Sequence, residues 1–420
     1  MKPTSSSAAP AASNTRVNGQ RLLSRLAALA RIGDTGDGGV RRLALSDADK
    51  LGRDQLVAWL REVGLEVHID KIGNIVGVLP GTKDAAPILL GSHIDTVGSG
   101  GKYDGALGVL AALEVIETIR ETGVLPPRGL AVIAFTNEEG ARFQPDILGS
   151  CVWTGDMTLD ESYAIRDSDG KSVGDELARI GYLGAAEPGF LKPHAYLELH
   201  IEQGPVLDAE GGGIAAVSGV QAIWWSEIVV EGEPNHAGTT PMKYRRNAGL
   251  AVARIMMFAD ALTHEIDGTV ANVGRVVFEP GNVNVVPGRA TMTLDLRNPD
   301  DARLAAVEAR VTAYLQTLRD EMMVTITPRE LAKFPAQAFN ERIIGVIEAA
   351  AHGLGQPVRR MVSGAGHDAQ IMATVAPAAM IFVPSVKGIS HNPAEHTDPA
   401  DIVAGTNVLL AAALKLAHEA

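Results

Sequence analysis

Three histidines and four carboxylates of this chain fall where apolar runs stop. His93 closes PILLGSH, Asp95 stands two residues on, and Asp104 follows a glycine-rich interval. Glu138 and Glu139 follow GLAVIAFTN, His200 ends AYLELH, and His391 comes a short loop after AAMIFVP. In an open parallel sheet the carboxyl ends of strands share one crevice, so residues remote in sequence meet there. Imidazoles and carboxylates in one cleft suit divalent metal. Two ions about 3.5–4 Å apart need a carboxylate between them, and Asp104 is the natural bridge. An N-cap for the helix starting there is its structural alternative. Asp95 is placed to accept the second ring N–H of His93 and fix its tautomer, or else is a plain turn residue. Adjacent side chains leave the backbone in different directions, so one glutamate of the Glu138-Glu139 pair can ligate while the other takes a proton from water. A solvated acidic pair is the ordinary alternative, but emergence from a buried strand argues against it.

The elements that position these groups read as alternating strands and helices. Residues 88–90 and 129–135 are continuous apolar runs, as a buried parallel strand requires, and a helical stretch over 104–120 between them makes a crossover unit. Helices are also expected over 18–30, 45–63 and 172–180, and a hairpin over 65–81 with its turn at 70–73. A strand over 195–199 delivers His200 and Gln203. Glycines 211–213 and 219 flank a short apolar segment suited to a domain boundary. Beyond it the order is strand, helix, two strands, helix, strand over residues 225–327, the split-βαβ pattern of a compact α/β sandwich. The first unit then resumes with a helix over 338–352, strands at 358–362 and 379–383, and a helix over 399–418. The expected organisation is a tail over 1–15, a catalytic domain over 16–220 and 332–420, and an inserted domain over 221–331.

Composition narrows the classes. With 37 basic and 50 acidic side chains, the net charge is -13 and no compensating basic stripe appears, which argues against nucleic acid as a partner. Cys151 is the only cysteine, so there is no disulfide framework and no CxxC metal site; burial as an inert thiol is its expected role. The first fifteen residues, rich in Ser, Ala, Pro and Asn, lack the apolar core of a secretory signal. The alanine-rich stretch over 405–417 falls short of a membrane span. A cytoplasmic protein without membrane attachment is expected.

The segments GSHIDTV, the DG of KYDGALG, NEEGARF, HIEQGP, PNHAGTTPM, NVNVVPGR with LDLR, SGAGHDA and SHNPAEHT together resemble the dinuclear-metal amidohydrolases of the M20 peptidase-like family. The branch they are most similar to comprises N-carbamoyl-L-amino-acid hydrolases, allantoate amidohydrolases and β-ureidopropionases. The resemblance implies an α/β fold: a zinc-peptidase-like catalytic domain with a mostly parallel central sheet, and a ferredoxin-like lid that also forms a homodimer. It implies His93, Asp104, Glu139, His200 and His391 as ligands of two divalent ions, Zn²⁺ or Mn²⁺ with Co²⁺ and Ni²⁺ also tolerated, and Glu138 as the base. It implies that His236 stabilises an oxyanion across the dimer interface and that Asn284 and Arg297 bind the substrate's amide region and carboxylate. Gln203, Gly364, Ala365 and His367 become further substrate-facing groups. Related peptidases place a carboxylate where His200 stands, so HIEQGP favours ureido or amide substrates. In the lid motif RRN, Asn247 stands where the family often has aspartate.

The implied reaction is hydrolysis of the ureido C–N bond of an N-carbamoyl-L-amino acid by a water activated between the metals. Allantoate, N-carbamoyl-β-alanine, and then dipeptide or N-acyl substrates are the enzymatic rivals. A metal-dependent binding or assembly module without turnover is the rival from another class.

Overall fold

The computed structural model describes residues 15–419; most of the expected tail lies outside the described residues. The described residues up to Ser218, together with those from Ala338, form one compact unit, and Gly219–Gln337 forms a second.

The first unit is built on a nine-stranded sheet. At its centre the strand Ile88–His93 lies between Leu130–Phe135 and Ala195–Ile201, parallel to both, and Ala378–Val383 extends the parallel set beyond Ala195–Ile201. All four strands are buried along their whole length. Their largely apolar sequences, rich in Ile, Leu, Val, Ala and Phe, follow from being covered on both faces. Antiparallel strands flank this centre: the hairpin Glu66–Ile69 with Ile75–Leu79 on one side and Ile214–Val220 on the other. The segment 214–220, expected as a boundary linker, is thus a sheet strand; its small residues Ala215 and Ala216 are fully buried against Phe382 and Ile381.

The helix Ala106–Glu121 is the crossover between the strands ending at His93 and Phe135, and its buried side chains include Leu107, Leu110, Leu113 and Ile116. Because its strands are parallel, His93, Thr136 to Glu139, and His200 emerge at one edge of the sheet. The helix Pro399–Ala417 is long and apolar enough to cross a membrane by length and composition. It buries Ile402, Val408, Leu409, Ala413 and Leu416 within the protein, the pattern of a core helix.

In the second unit the strands run in the order Val276–Glu279, Arg289–Asn298, Ala222–Glu231, Thr325–Phe334, all antiparallel, with Val270–Asn272 also pairing Arg289–Asn298. The strand expected over 270–278 is therefore two short ones. One face, with Ile228, Val230, Met292, Leu294 and Leu296, packs under the helices Ala248–Glu265 and Asp301–Met322. Asn247 caps the first of these helices by accepting the Leu250 N–H at 3.1 Å, so asparagine serves the helix start. Thr325–Phe334 is one strand, so the second unit continues past residue 331 to Gln337. The helices Leu148–Thr154 and Leu159–Ala164 carry too short a periodicity to be read from sequence.

Candidate metal centre and active site

At the strand-end edge of the first unit, a cavity of about 140 Å³ is lined by His93, Asp104, Glu138, Glu139, His200, Gln203, Ala365, His367 and His391, among others. Asp104 stands at its middle. Its Oδ1 lies 3.2 Å from His200 Nε2 and 3.7 Å from His93 Nε2, and its Oδ2 lies 3.3 Å from His391 Nε2. His391 Nε2 is in turn 3.3 Å from Glu139 Oε2. One carboxylate is thus shared by two donor triads, His93–Asp104–His200 and Asp104–Glu139–His391. Ligands about 2.0–2.1 Å from a tetrahedral ion stand about 3.3 Å from one another, which is the spacing seen here. Glu139 Oε1 is buried with no hydrogen-bond partner. This donor set fits divalent cations.

The electrostatics point the same way. Burial, and then the charges of Asp368, Glu139, Asp95 and Asp104, push the Glu138 carboxyl well above the usual carboxylate range. Burial likewise raises Glu139, Glu198, Asp368 and Asp95, the last to about 8. So many buried carboxylates repel one another unless cations sit among them. His391 is raised to about 10 by its contacts with Asp104 and Glu139, whereas burial lowers His93 to about 4.

Local backbone conformation aims these groups. Asn137, Gln203 and His391 have φ of 55°, 59° and 52°, left-handed values that are uncommon outside glycine and cluster here at strand ends. Asn137 is held by donating from Nδ2 to the Phe143 carbonyl at 2.9 Å, and the Ile147 N–H donates to the Glu138 carbonyl at 2.7 Å. Gly105, at φ 61°, follows Asp104, and a Cβ there would lie 2.4 Å from His93 Nε2. Only glycine lets the chain after Asp104 pass so close to the ring. The helix after it takes no side-chain cap from Asp104, which leaves that carboxylate to the cavity.

Asp95 departs from expectation. The His93 Nδ1 faces the main-chain carbonyl of Asp95 at 3.0 Å, while the Asp95 carboxylate is 3.8 Å away. The carboxylate instead accepts the N–H groups of Glu138 (3.2 Å) and Glu139 (3.4 Å). The residue fixes the histidine through its backbone and the acidic turn through its side chain.

Gln203 donates from Nε2 to Asp104 Oδ2 at 2.9 Å, and its Oε1 is buried without a partner. Ala365 and His367 line the cavity; Gly364 is exposed and does not. His367 packs edge-on against His200, with ring centroids 4.6 Å apart, and pairs with Ser363 Oγ at 2.9 Å.

Sequence reasoning missed a layer behind these residues. Glu395 is buried and accepts the N–H groups of Tyr103 (2.9 Å) and Asp104 (3.2 Å), while Ser390 Oγ lies 3.0 Å from Glu395 and 3.1 Å from Asp104. Glu198, two residues before His200, accepts from Ser92 Oγ at 2.7 Å and from the Ala369 N–H at 2.9 Å. The only prior signal was the place of Glu395 within SHNPAEHT and the strand alternation that turns Glu198 to the same side as His200.

His236, Asn284 and Arg297 belong to the second unit. His236 and Asn284 are neighbours on a two-stranded ribbon, Asn235–His236 with Val285–Val286, where the Ala237 N–H donates to the Asn284 carbonyl at 2.9 Å. Arg297 alternates with the buried Leu296 and Asn298. Its guanidinium pairs with Asp295 at 2.8 Å and lies over the Trp225 ring.

Known proteins align with this arrangement along nearly the whole chain. The model of peptidase family M20/M25/M40 matches residues 89–415. An N-carbamoyl-L-amino-acid amidohydrolase of Rhizobium meliloti is 43% identical over 96% of this chain and 98% of its own. An allantoate amidohydrolase of Escherichia coli is 36% identical over 93% of this chain and 96% of its own. Among solved structures, an amidase of the hydantoinase/carbamoylase family from Burkholderia multivorans superposes with a TM-score of 0.95 at 42% identity, covering 96% of this chain and 99% of its own.

Proposed function

We propose that this chain, which belongs to peptidase family M20/M25/M40, hydrolyses the ureido C–N bond of an N-carbamoyl-L-amino acid to give the amino acid, ammonia and carbon dioxide. The observation that carries the proposal is the Asp104 carboxylate shared between two His/carboxylate triads beside a buried, upshifted Glu138. The Rhizobium meliloti relative supports the substrate class.

Under this assignment His93, His200 and Asp104 would hold one divalent ion, and Asp104, Glu139 and His391 would hold the other. Zn²⁺ or Mn²⁺, with Co²⁺ and Ni²⁺ also suited to mixed imidazole and carboxylate donors, supply Lewis acidity and an acidified water when bound. Glu138 takes a proton from the attacking water. Its buried surroundings favour the protonated form, so it holds that proton until the leaving nitrogen accepts it. His236 donates to the oxyanion as the carbonyl carbon becomes tetrahedral. Arg297 turns its planar fork from Asp295 to the substrate carboxylate, and Asn284 and Gln203 bind the polar atoms between. His236 serves the site of a second copy, the homodimer forming through the inserted unit. Exposed apolar side chains there, among them Leu250, Met257 and Val270, support such pairing.

Allantoate is the second candidate substrate, favoured by the Escherichia coli relative. Parallel turnover measurements with added Mn²⁺ on N-carbamoyl-L-methionine, allantoate, N-carbamoyl-β-alanine and an N-acetyl amino acid rank the possibilities. The highest kcat/KM is expected on N-carbamoyl-L-methionine. A higher value on allantoate moves the assignment to that substrate, and no turnover of either ureido acid overturns it.

A further inference from the structure

His236 stands in a tight turn whose main chain is fully engaged. Its N–H donates to Asn235 Oδ1 at 2.9 Å, and its carbonyl accepts the Thr240 N–H at 3.2 Å. Arg245 braces the turn by donating from Nε to the Thr240 carbonyl at 2.9 Å and from its terminal nitrogen to the Ala237 carbonyl. Within this frame two main-chain N–H groups converge on the imidazole: Gly238 N lies 3.0 Å from His236 Nδ1 and Thr239 N lies 3.1 Å from it. Both are donors, so Nδ1 must offer its lone pair. A proton there would face two others.

We propose that the turn fixes His236 as the Nε2–H tautomer and that Gly238 is the positioning residue that makes this seat possible. A Cβ at position 238 would stand 3.2 Å from His236 Cε1 and 3.5 Å from Nδ1, so a side chain there makes the ring give by a few tenths of an ångström at Cε1 and lengthens its contacts with the two donors. The arrangement is the reverse of the usual one, in which Nδ1–H donates to a carboxylate or carbonyl and leaves Nε2 as an acceptor. Here Nε2 is the only proton-bearing nitrogen of the neutral ring. His236 itself is exposed, and Nε2 makes no hydrogen bond among the described residues. The imidazole is therefore a hydrogen-bond donor and not a base. Its use in turnover rests on the oxyanion role proposed above; the tautomer does not.

The test uses the full-length, metal-reconstituted protein with ¹⁵N-labelled histidine and long-range ¹H–¹⁵N correlation above neutral pH, His236 being identified by its absence from the spectrum of His236→Gln. A single tautomer is expected, protonated at Nε2, with coupling across the hydrogen bonds from the Gly238 and Thr239 amides to Nδ1. In Gly238→Ala the Nδ1–H form should enter, with kcat falling about tenfold for a sub-ångström displacement and KM unchanged. In His236→Gln, whose amide nitrogen can replace Nε2, kcat should stay within about tenfold of wild type, against a loss of about 10²- to 10³-fold in His236→Ala. A wild-type ring that exchanges between tautomers like free imidazole overturns the proposal; a His236→Gln enzyme no better than His236→Ala overturns the oxyanion role and leaves the tautomer to the spectrum. Absence of ureido turnover in the wild type would remove the proposed function but leave the tautomer result standing.

Discussion

Replacing Asp95 with asparagine separates the two jobs that this residue does. Its main-chain carbonyl, 3.0 Å from His93 Nδ1, survives the change, so the His93 side of the site should keep its geometry. Its carboxylate accepts the Glu138 and Glu139 N–H groups at 3.2 and 3.4 Å. An asparagine keeps one acceptor and turns an NH₂ towards the other N–H. In the metal-loaded protein, neighbouring cations favour the ionised Asp95 carboxylate over the protonated form it takes without them, so one charge-assisted bond is lost and a donor faces a donor. Such a loss costs about 1.5–3 kcal/mol, and bonds this long belong at the lower end, about 1.5–2 kcal/mol, or roughly 10- to 30-fold in affinity. The cost should fall on the ion that Glu139 would hold under the proposed assignment. Titration of the stripped protein with Mn²⁺ or Zn²⁺ against a chromophoric chelator is the assay. One binding step should weaken by that factor while the other moves less than about twofold, with kcat reduced even at saturating metal because Glu138 loses its anchor. An unchanged isotherm with unchanged kcat would refute the role of the carboxylate. Equal weakening of both steps would show that it acts on the whole site.

Three further outcomes are expected. Glu138→Gln should retain metal while hydrolysis falls by about 10²- to 10⁴-fold, the usual worth of a positioned base; metal analysis beside a turnover assay checks both. Glu395→Ala orphans the buried N–H groups of Tyr103 and Asp104, at about 1–3 kcal/mol each, so chemical denaturation should show a loss of several kcal/mol and chelator competition a weaker metal grip. Burial pushes the Cys151 thiol up to about 12, so the thiolate is about one part in 10⁴ at pH 8. Alkylation of the native protein should be slow, rising about tenfold per pH unit below that value, and become fast on unfolding.

His93, Glu139 and His200 were legible because they end or follow largely apolar strands, and parallel strands deliver their ends to one edge. His93, Glu139 and His200 needed no more than that rule, and Asp104 needed only its place at a helix start. What the sequence could not show was direction. Whether Asp95 meets His93 by carbonyl or carboxylate depends on a rotation of a few ångströms, and Glu395 reaches Asp104 across 291 residues of chain. The strand Ile214–Val220 was hidden because Ala, Ser and Gly carry little strand propensity; its place is set by burial against Ala378–Val383. In the second unit, His236, Asn284 and Arg297 were picked out by motif alone. The tautomer of His236 depends on a turn conformation that spacing does not reveal.

The most direct measurement is a single titration of the stripped protein with Mn²⁺, following turnover of N-carbamoyl-L-methionine against metal equivalents per chain. Two triads sharing Asp104 require activity to rise to a break at about two equivalents, from a metal-free value near zero. Full turnover without metal, or none at any loading on this substrate or on allantoate, would contradict the account.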